Sequence, residues 1–328
     1  MEFLAELAGP LIDSFLIGSF YALMGAGLTM VFAVTKVPDF AHAELVTIGG
    51  YAAAFASVSL GLGMLPTLVF AMLVAGIVSL GYDETVFKPL WKKGASSLYL
   101  LVASVGLGLF VRYVLMSVVE PFGWLSARAN ISPHVLTYIG YGSLTDLHVI
   151  VIVTTVLSVA VLHLMFTRTK LGKAMRATAS NPELARISGI NITLVRRITW
   201  LIGGVLAGMA GGFWSMMSPI DVELGWRFLL WMFAAAIVGG FSFYGTILGG
   251  YIIGLAEGIG IFLLNMYFGV EVAYKPVISL VIMVLVLLFA PQGLRGISLE
   301  GIKQRLGLSS GFTAAPPRTA MTRFEAEV

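Results

Sequence analysis

Three ionisable residues stand close together in a stretch of the chain that is otherwise apolar. The stretch VPDFAHAELVTIGGY, residues 37–51, carries Asp39, His42 and Glu44 between two long apolar runs. Pro38 is expected to stop the preceding helix, and Asp39 is suited to cap the next one by accepting hydrogen bonds from free N–H groups. Two interpretations stay open: the charges cap a break that orients two half-helices, or they line a route for a charged group.

The composition shows what surrounds these charges. Of the 328 residues, 58% are hydrophobic and 11% are charged, and the mean hydropathy is +0.95. Soluble domains are typically about 45–50% apolar and about 25% charged. The sequence therefore predicts an integral membrane protein. Since it contains no cysteine, disulfides and thiol chemistry are excluded.

The apolar runs predict an all-α fold, a polytopic transmembrane helix bundle of about eight or nine membrane segments. Two of them are candidates for broken or re-entrant helices, because the segment 40–61 begins with three ionisable groups and the segment 228–243 is short. The predicted segments are 10–35, 40–61, 63–82, 97–119, 148–166, 198–217, 228–243, 246–267 and 275–291. They predict a transmembrane domain over 1–305, followed by a disordered cytoplasmic tail over 306–328.

Basic residues are concentrated in the loop 168–197, between the fifth and sixth segments. Because Lys and Arg are enriched in cytoplasmic loops, this loop is predicted to be cytoplasmic. Alternating crossings then place the N-terminus outside the cell membrane and the C-terminus inside, with the stretch 37–51 near the cytoplasmic side as an inner gate. Four basic residues fall near the outer side and are interpreted as snorkelling at the interface: Arg112, Arg128, Arg227 and Lys275.

Several ionisable side chains fall inside or beside the predicted membrane segments. Burying an unpaired one costs about 2.5–3.5 kcal/mol on insertion scales, so each should face a partner or a water-filled path. The N-terminus of a half-helix in a transporter can also point its positive end at an anionic group, such as a substrate carboxylate. We therefore predict that a translocation path or helix break is formed by Pro38, Asp39, His42, Glu44 and Glu257.

Glycines recur every four residues in two of the predicted spans. This spacing leaves a groove without side chains along one helix face, where another backbone can approach closely. The glycines could serve packing alone, or they could let helices slide or rock during transport. The helix-packing positions are Gly204, Gly208, Gly212, Gly250, Gly254 and Gly258.

Common enzyme motifs are missing from the sequence. The segment LGKA at 171–174 has a Gly-Lys pair but lacks the rest of a P-loop, so the chain is not expected to hold ATP phosphates. There is no H-E-x-x-H zinc motif and no G-x-S-x-G elbow. The histidines have no metal-ligand spacing. We predict no enzymatic activity, no metal site and no cofactor bound by this chain.

The basic loop contains the sequence NPELARISG, in which Asn181 or Ser180 could cap a short helix whose first turn holds Pro182. The order of Glu183, Ala185 and Gly189 resembles the E-x-A-x-x-x-G pattern of the cytoplasmic "EAA" loop in ABC importer permeases. That resemblance implies a helix that docks on an ATPase subunit. The ATPase-coupling residues are then Glu183, Ala185, Gly189, Arg176 and Arg186.

A more extensive resemblance covers roughly residues 10–300. The stretch YALMGAGLTMVFAVTKVPDFAHAELVTIGGY at 21–51 resembles the N-terminal signature of LivH-type branched-chain amino acid ABC permeases, with Asp39 in place of the usual Asn and Ala43 in place of the usual Gly. VGGFSFYGTILGGYIIGLAEG at 238–258 and APQGLRG at 290–296 resemble later segments of that family.

The resemblance implies an importer of leucine, isoleucine and valine, although relatives carry urea, short amides or other amino acids. It implies a sister permease, two P-loop ATPase subunits that bind ATP, an external solute-binding protein and membrane lipid as partners, and no nucleic acid. The alternative is an ATP-independent secondary transporter or channel for a small polar solute, because broken helices and intramembrane carboxylates also occur in ion-coupled carriers.

Overall fold

The computed structural model describes residues 2–290 and 293 of the chain. The first half contains α1 (Glu2–Thr35), α2 (His42–Val58), α3 (Met64–Tyr82), a π-helical turn (Asp83–Phe87), α4 (Lys88–Lys92) and α5 (Ser97–Val119). A 3-10 turn (Glu120–Phe122), β1 (Val135–Ile139) and β2 (Gly142–Thr145) follow. The second half contains α6 (Asp146–Arg168), α7 (Lys170–Ser180), α8 (Pro182–Ile187), α9 (Ile192–Met217), α10 (Leu224–Val238), α11 (Phe243–Phe268), a 3-10 turn (Val272–Tyr274) and α12 (Lys275–Phe289).

Among the described residues, seven helical segments are long and apolar enough to cross a membrane. Two further helices are shorter, since α2 has 17 residues and α10 has 15, against the roughly 20 needed to span a bilayer. The prediction of eight or nine segments in a polytopic helix bundle is confirmed. The two short helices are those in which the sequence indicated a break.

Helix burial separates the centre of the bundle from its periphery. The most apolar window of α1 is 83% buried and that of α9 is 61% buried, whereas those of α6 and α12 are 17% and 6% buried. The central helices carry the small residues that allow close packing, and the peripheral ones present Leu, Val and Phe side chains outward. Such outward apolar faces are expected where lipid or another membrane subunit covers a helix.

Both glycine stripes lie at helix–helix contacts. The stripe on α9 faces α3, and the stripe on α11 faces α1, so that the helices approach closely; a Cβ at every stripe position except Gly212 would lie less than 3.0 Å from a neighbouring atom. The residues they meet are Ala71, Ala75 and Ser79 on α3, and Ser14, Gly18 and Ala22 on α1.

A further glycine on α9, Gly211, is the basis of a stability prediction. A Cβ added there would lie 1.9 Å from the carbonyl oxygen of Val46 in α2. We expect Gly211→Val to separate α9 from α2 and to abolish recovery of monodisperse protein in detergent, as measured by size-exclusion chromatography. The matched control is Gly106→Val, because a Cβ at Gly106 would meet nothing within 4 Å. Equal recovery of both variants would contradict this packing.

The two ends of the bundle differ in structure. One end, which we call the basic end, carries residues 168–197. The opposite end, the hairpin end, carries strands β1 and β2, which pair antiparallel. The sequence did not indicate this hairpin. It is anchored to α1 by a hydrogen bond from the Tyr141 N–H to the Ala5 carbonyl, 2.9 Å long.

Candidate functional site

The chain turns back into the bundle after α1. The Phe40 N–H donates to the Ser104 hydroxyl of α5 at 3.1 Å, and the His42 ring fills a notch where Gly27 and Gly203 lack side chains. Gly27 lies eight residues before the end of α1, which corresponds to about 12 Å along the helix axis. Helix α2 therefore begins inside the bundle rather than at its basic end.

Helix α10 also begins inside the bundle, after a segment that enters from the hairpin end and pairs Ile220 with Ala127. The Gly225 N–H donates to the Thr47 hydroxyl at 2.8 Å. A Cβ at Gly225 would lie 2.2 Å from the Ala43 carbonyl oxygen, so only glycine permits this contact. The N-terminal turns of two interrupted helices, α2 and α10, thus pack against each other in the interior.

A buried ion pair lies beside this junction. The Arg112 guanidinium of α5 donates to Glu44 Oε1 through Nε at 3.2 Å and Nη2 at 2.5 Å. The guanidinium also lies over the Trp226 ring, 5.0 Å from its centroid. The Arg112 side chain is 11% exposed and that of Glu44 is 2% exposed. The interpretation of Arg112 as a snorkelling residue is therefore wrong, because its charge is held inside by a carboxylate 68 positions earlier in the chain.

The other three outlying basic residues have different surroundings. Arg227 pairs with Asp221 at 2.7 Å in an exposed position, and Arg128 donates to the Met216 carbonyl oxygen at 3.4 Å. Lys275, at the start of α12, lies within electrostatic range of Glu257.

Two polar atoms near the start of α2 are buried with no hydrogen bond to any residue in the described ranges. They are Asp39 Oδ2 and the Tyr82 hydroxyl. The other carboxylate oxygen of Asp39 accepts from the Ala41 N–H at 3.0 Å. Since Ala41 immediately precedes α2, Asp39 orders the turn that leads into the helix.

Glu257 is held in a separate cluster. It accepts hydrogen bonds from the Tyr21 hydroxyl at 2.7 Å, from Trp231 Nε1 at 2.5 Å and from the Ser279 hydroxyl. These donors belong to α1, α10 and α12, so a single carboxylate connects four helices. None of them belongs to the stretch 37–51, and the structure does not bring Glu257 together with Asp39, His42 and Glu44.

Three ion pairs that the sequence did not indicate lie at the basic end. Asp83, the first residue of the π-helical turn, accepts from Arg196 Nε at about 3.0 Å, and Glu84 pairs with Arg197 and Lys88. The sequence contained a signal for these pairs, because Asp83 and Glu84 end one apolar run and the adjacent Arg196 and Arg197 precede another apolar run. π-helical turns occur frequently at functional sites, and this one joins the end of α3 to the start of α9.

Helix α8 has the structure that its sequence suggests. Asn181 caps it by accepting from the Leu184 N–H at 3.0 Å, and Pro182 occupies the first turn, which confirms the capping prediction. Gly189 ends it with φ = 81°, a left-handed conformation that favours glycine. Ala185 faces the bundle and is 3% exposed.

The opposite face of α8 is exposed. Leu184 is 60% exposed and Ile187 is 83% exposed, and the charged residues of the region are exposed as well: Arg176, Glu183 and Arg186. Two large apolar side chains on a short exposed helix form a surface suited to another protein. Within the residues that the structure describes, no group of three or more His, Asp or Glu side chains is placed to hold a metal ion.

A multi-pass helix bundle in which two interrupted helices meet beside a buried ion pair is the architecture of a membrane transport protein. The comparison with known families is more specific. The family model described as "Branched-chain amino acid transport system / permease component" matches residues 11–287. The chain belongs to this family of permease components.

Similar proteins span nearly the whole chain. A probable branched-chain amino acid transport permease protein LivH of Methanocaldococcus jannaschii is 33% identical, covering 92% of this chain and 96% of that protein. The high-affinity branched-chain amino acid transport system permease protein BraD of Pseudomonas aeruginosa is 29% identical, with coverages of 87% and 94%. The permease protein LivH of Escherichia coli is 28% identical, with coverages of 85% and 92%.

Proposed function

We propose that this chain is the transmembrane subunit of an ABC importer that takes up branched-chain or related amino acids across the inner membrane. The observation that carries the proposal is α8, a capped helix at the basic end whose exposed face presents Leu184 and Ile187. The family membership and the names of the relatives supply the substrate class. In this assignment the chain has no catalytic activity of its own.

The partners follow from this assignment. Two P-loop ATPase subunits bind ATP and dock on α7 and α8, a sister permease completes the membrane part, and a solute-binding protein delivers the amino acid at the hairpin end. The N-terminus then lies outside and the C-terminus in the cytoplasm.

Of the closing motif 290–296, the structure describes residues 290 and 293. The boundary at 305 and the tail 306–328 lie outside the described residues.

A route for coupling follows from the contacts between elements. Movement of α8 would reach α9 through the short connection at Gly189–Asn191. Arg196 and Arg197 of α9 are ion-paired with Asp83 and Glu84, so the same movement would reach α3. Helix α9 also carries Gly203, which borders the His42 ring at the break before α2. ATP-driven closure of the ATPase pair would thereby alter the junction of α2 with α10.

Co-purification tests the docking surface. The full chain is expressed with its ATPase and sister subunits, isolated through a tag on this chain, and its partners are quantified by mass spectrometry. Replacing Leu184 and Ile187 with Asp is expected to lower ATPase recovery at least about tenfold, because the central apolar anchors of an interface dominate its affinity. Recovery of the sister permease should be unchanged.

The matched control is Tyr141→Asp, which makes the same kind of change at the hairpin end, where Tyr141 is 76% exposed. It should retain the ATPases. If the α8 variant also kept its full complement of ATPase subunits, this surface would not be the docking site. If the wild-type chain brought down no ATPase at all, the importer assignment itself would fail.

A further inference from the structure

A cavity at the basic end lies where several membrane helices begin or end. Its volume is about 230 Å³, and we call it the α1 cavity because residues 34–37, at the end of α1, border it. Ser97 and Ile192, the first residues of α5 and α9, border it as well. Thr35, Ser97 and Ile192 are also the end points of three candidate membrane spans. The cavity therefore lies at the depth where the hydrocarbon core of a bilayer gives way to lipid headgroups.

This region carries an excess of positive charge. Lys36 and Arg196 line the α1 cavity together with the carboxylate of Asp83, which pairs with Arg196 at 2.9 Å. An adjacent cavity of about 250 Å³, the α8 cavity, shares three lining residues with the first and adds Arg186. Within the described part of the chain, neither Lys36 nor Arg186 forms an ion pair. The two cavities thus hold two positive charges that an anion would balance.

Hydrogen-bond donors without acceptors border the same cavities. Trp200 lines the α1 cavity and is 1% exposed, and its Nε1–H has no acceptor among the described residues. Stacking on the Phe87 ring, with the centroids 4.9 Å apart, fixes the indole. Ile192 and Thr193, in the first turn of α9, line the α8 cavity, and the N–H groups of a first turn have no acceptor within the helix. Phosphate groups bind at such helix N-termini.

Lys36 stands at a position whose backbone favours glycine. It follows the last residue of α1 with φ = 58°, the left-handed conformation in which glycine commonly ends a helix. Its N–H donates to the Phe32 carbonyl at 2.8 Å, as this type of helix end requires. Its side chain is exposed. Since glycine would suit the backbone better, the lysine side chain is expected to contribute something other than stability.

The remaining walls of the α1 cavity indicate which anion fits. Val34, Val37 and Leu100 give it an apolar side, and Trp91, which is 42% exposed, lies at its rim. Tryptophan is enriched at the level of the headgroups, and basic pockets between membrane helices bind the headgroups of anionic lipids. A ligand with a phosphate group and an apolar continuation matches this combination.

We propose that the α1 cavity binds the phosphate group of an anionic phospholipid. Lys36 and Arg186 supply the attraction, the Trp200 N–H supplies a hydrogen bond, and the apolar side contacts the glycerol backbone of the lipid. The site requires only that the chain spans a membrane, so it is independent of what the protein imports.

Lipid binding to the purified full chain tests the site. Delipidated protein in detergent is titrated with phosphatidylglycerol or with phosphatidylcholine of the same acyl chains, and native mass spectrometry resolves the number of bound lipids. We expect the first phosphatidylglycerol to bind at least about tenfold more tightly than phosphatidylcholine. Lys36→Gln and Arg186→Gln should each weaken its binding about fivefold, because a basic residue near the surface adds that much to the attraction of anionic lipid.

Matched variants separate the site from general attraction to a basic surface. Lys93→Gln and Arg168→Gln make the same changes at exposed positions of the basic end that border neither cavity, and they should bind as the wild type does. Lys36→Gly should fold at least as well as the wild type and still lose affinity. Trp200→Phe keeps a ring to stack on Phe87 and tests the N–H alone.

Each other outcome contradicts the site. Equal affinity for the two lipids, unchanged binding by both Lys36→Gln and Arg186→Gln, or an equal loss in the control variants would overturn it. Displacement of phosphatidylglycerol by inorganic phosphate at millimolar concentration would assign the cavity to a soluble phosphate compound instead. None of these results would affect the import function, which ATP-dependent uptake tests separately.

Discussion

Arg112→Ala is expected to lower the free energy of unfolding by about 3–5 kcal/mol, the cost typical of removing one partner of a buried ion pair. The reason is that Glu44, whose side chain is 2% exposed, would lose its countercharge and both guanidinium hydrogen bonds. Contact with the Trp226 ring would also be lost. Thermal or denaturant unfolding of the purified chain, followed by tryptophan fluorescence, measures the change.

A double replacement distinguishes loss of the pair from loss of packing. Arg112→Met combined with Glu44→Leu removes both charges and keeps similar volumes, so it should recover most of the stability. Arg227→Ala is the control, because its pair with Asp221 is about half exposed and such pairs contribute about 0–1 kcal/mol. If Arg112→Ala were no more harmful than Arg227→Ala, the pair would not hold α5 to the start of α2.

Gly189→Pro is expected to abolish amino acid uptake while the assembled ATPases continue to hydrolyse ATP. Proline fixes φ near −65°, whereas Gly189 has φ = 81°, and proline also removes the N–H that donates to the Arg186 carbonyl at 3.0 Å. The end of α8 would lose its direction relative to α9. Uptake and ATP hydrolysis by the reconstituted complex, measured on the same preparation, would show the uncoupling.

The control for this change is another glycine in the same conformation. Gly269, which ends α11, has φ = 65°, and a Cβ there would meet nothing within 4 Å. It lies at the hairpin end, away from α8, so Gly269→Pro should leave coupling intact. The exposed charge of Glu183 gives a milder test, since Glu183→Lys reverses charge on the same helix and should also reduce uptake. Full uptake by the two α8 variants would rule out coupling through this helix.

Much of the fold could be predicted because local patterns determine it. The long apolar runs mark membrane helices, since a bilayer leaves few alternatives for a buried backbone. The breaks at α2 and α10 also have local causes, in Pro38 and the ionisable groups that follow it, and in the short apolar run around 228–243. The cap at Asn181 and the end of α8 at Gly189 follow from side chains within a few residues.

The partners of the buried charges could not be predicted. Arg112 and Glu44 are 68 positions apart, and Glu257 accepts from Tyr21 across 236 positions. Such pairs depend on which helices pack against each other and through which faces. The spacing of hydrophobic residues marks each helix but does not show which other helix it will contact. For the same reason the sequence placed Arg112 at the interface with lipid and missed the pairs of Asp83 and Glu84 with the two arginines of α9.

The central claim is that this chain moves amino acids when partner subunits hydrolyse ATP. The most direct measurement is uptake of radiolabelled L-leucine by proteoliposomes that contain the chain with its sister permease, ATPase subunits and solute-binding protein. We predict uptake that requires both ATP and the solute-binding protein and that persists when ionophores collapse the proton and sodium gradients. Uptake that proceeds without ATP and stops when those gradients are removed would contradict the account.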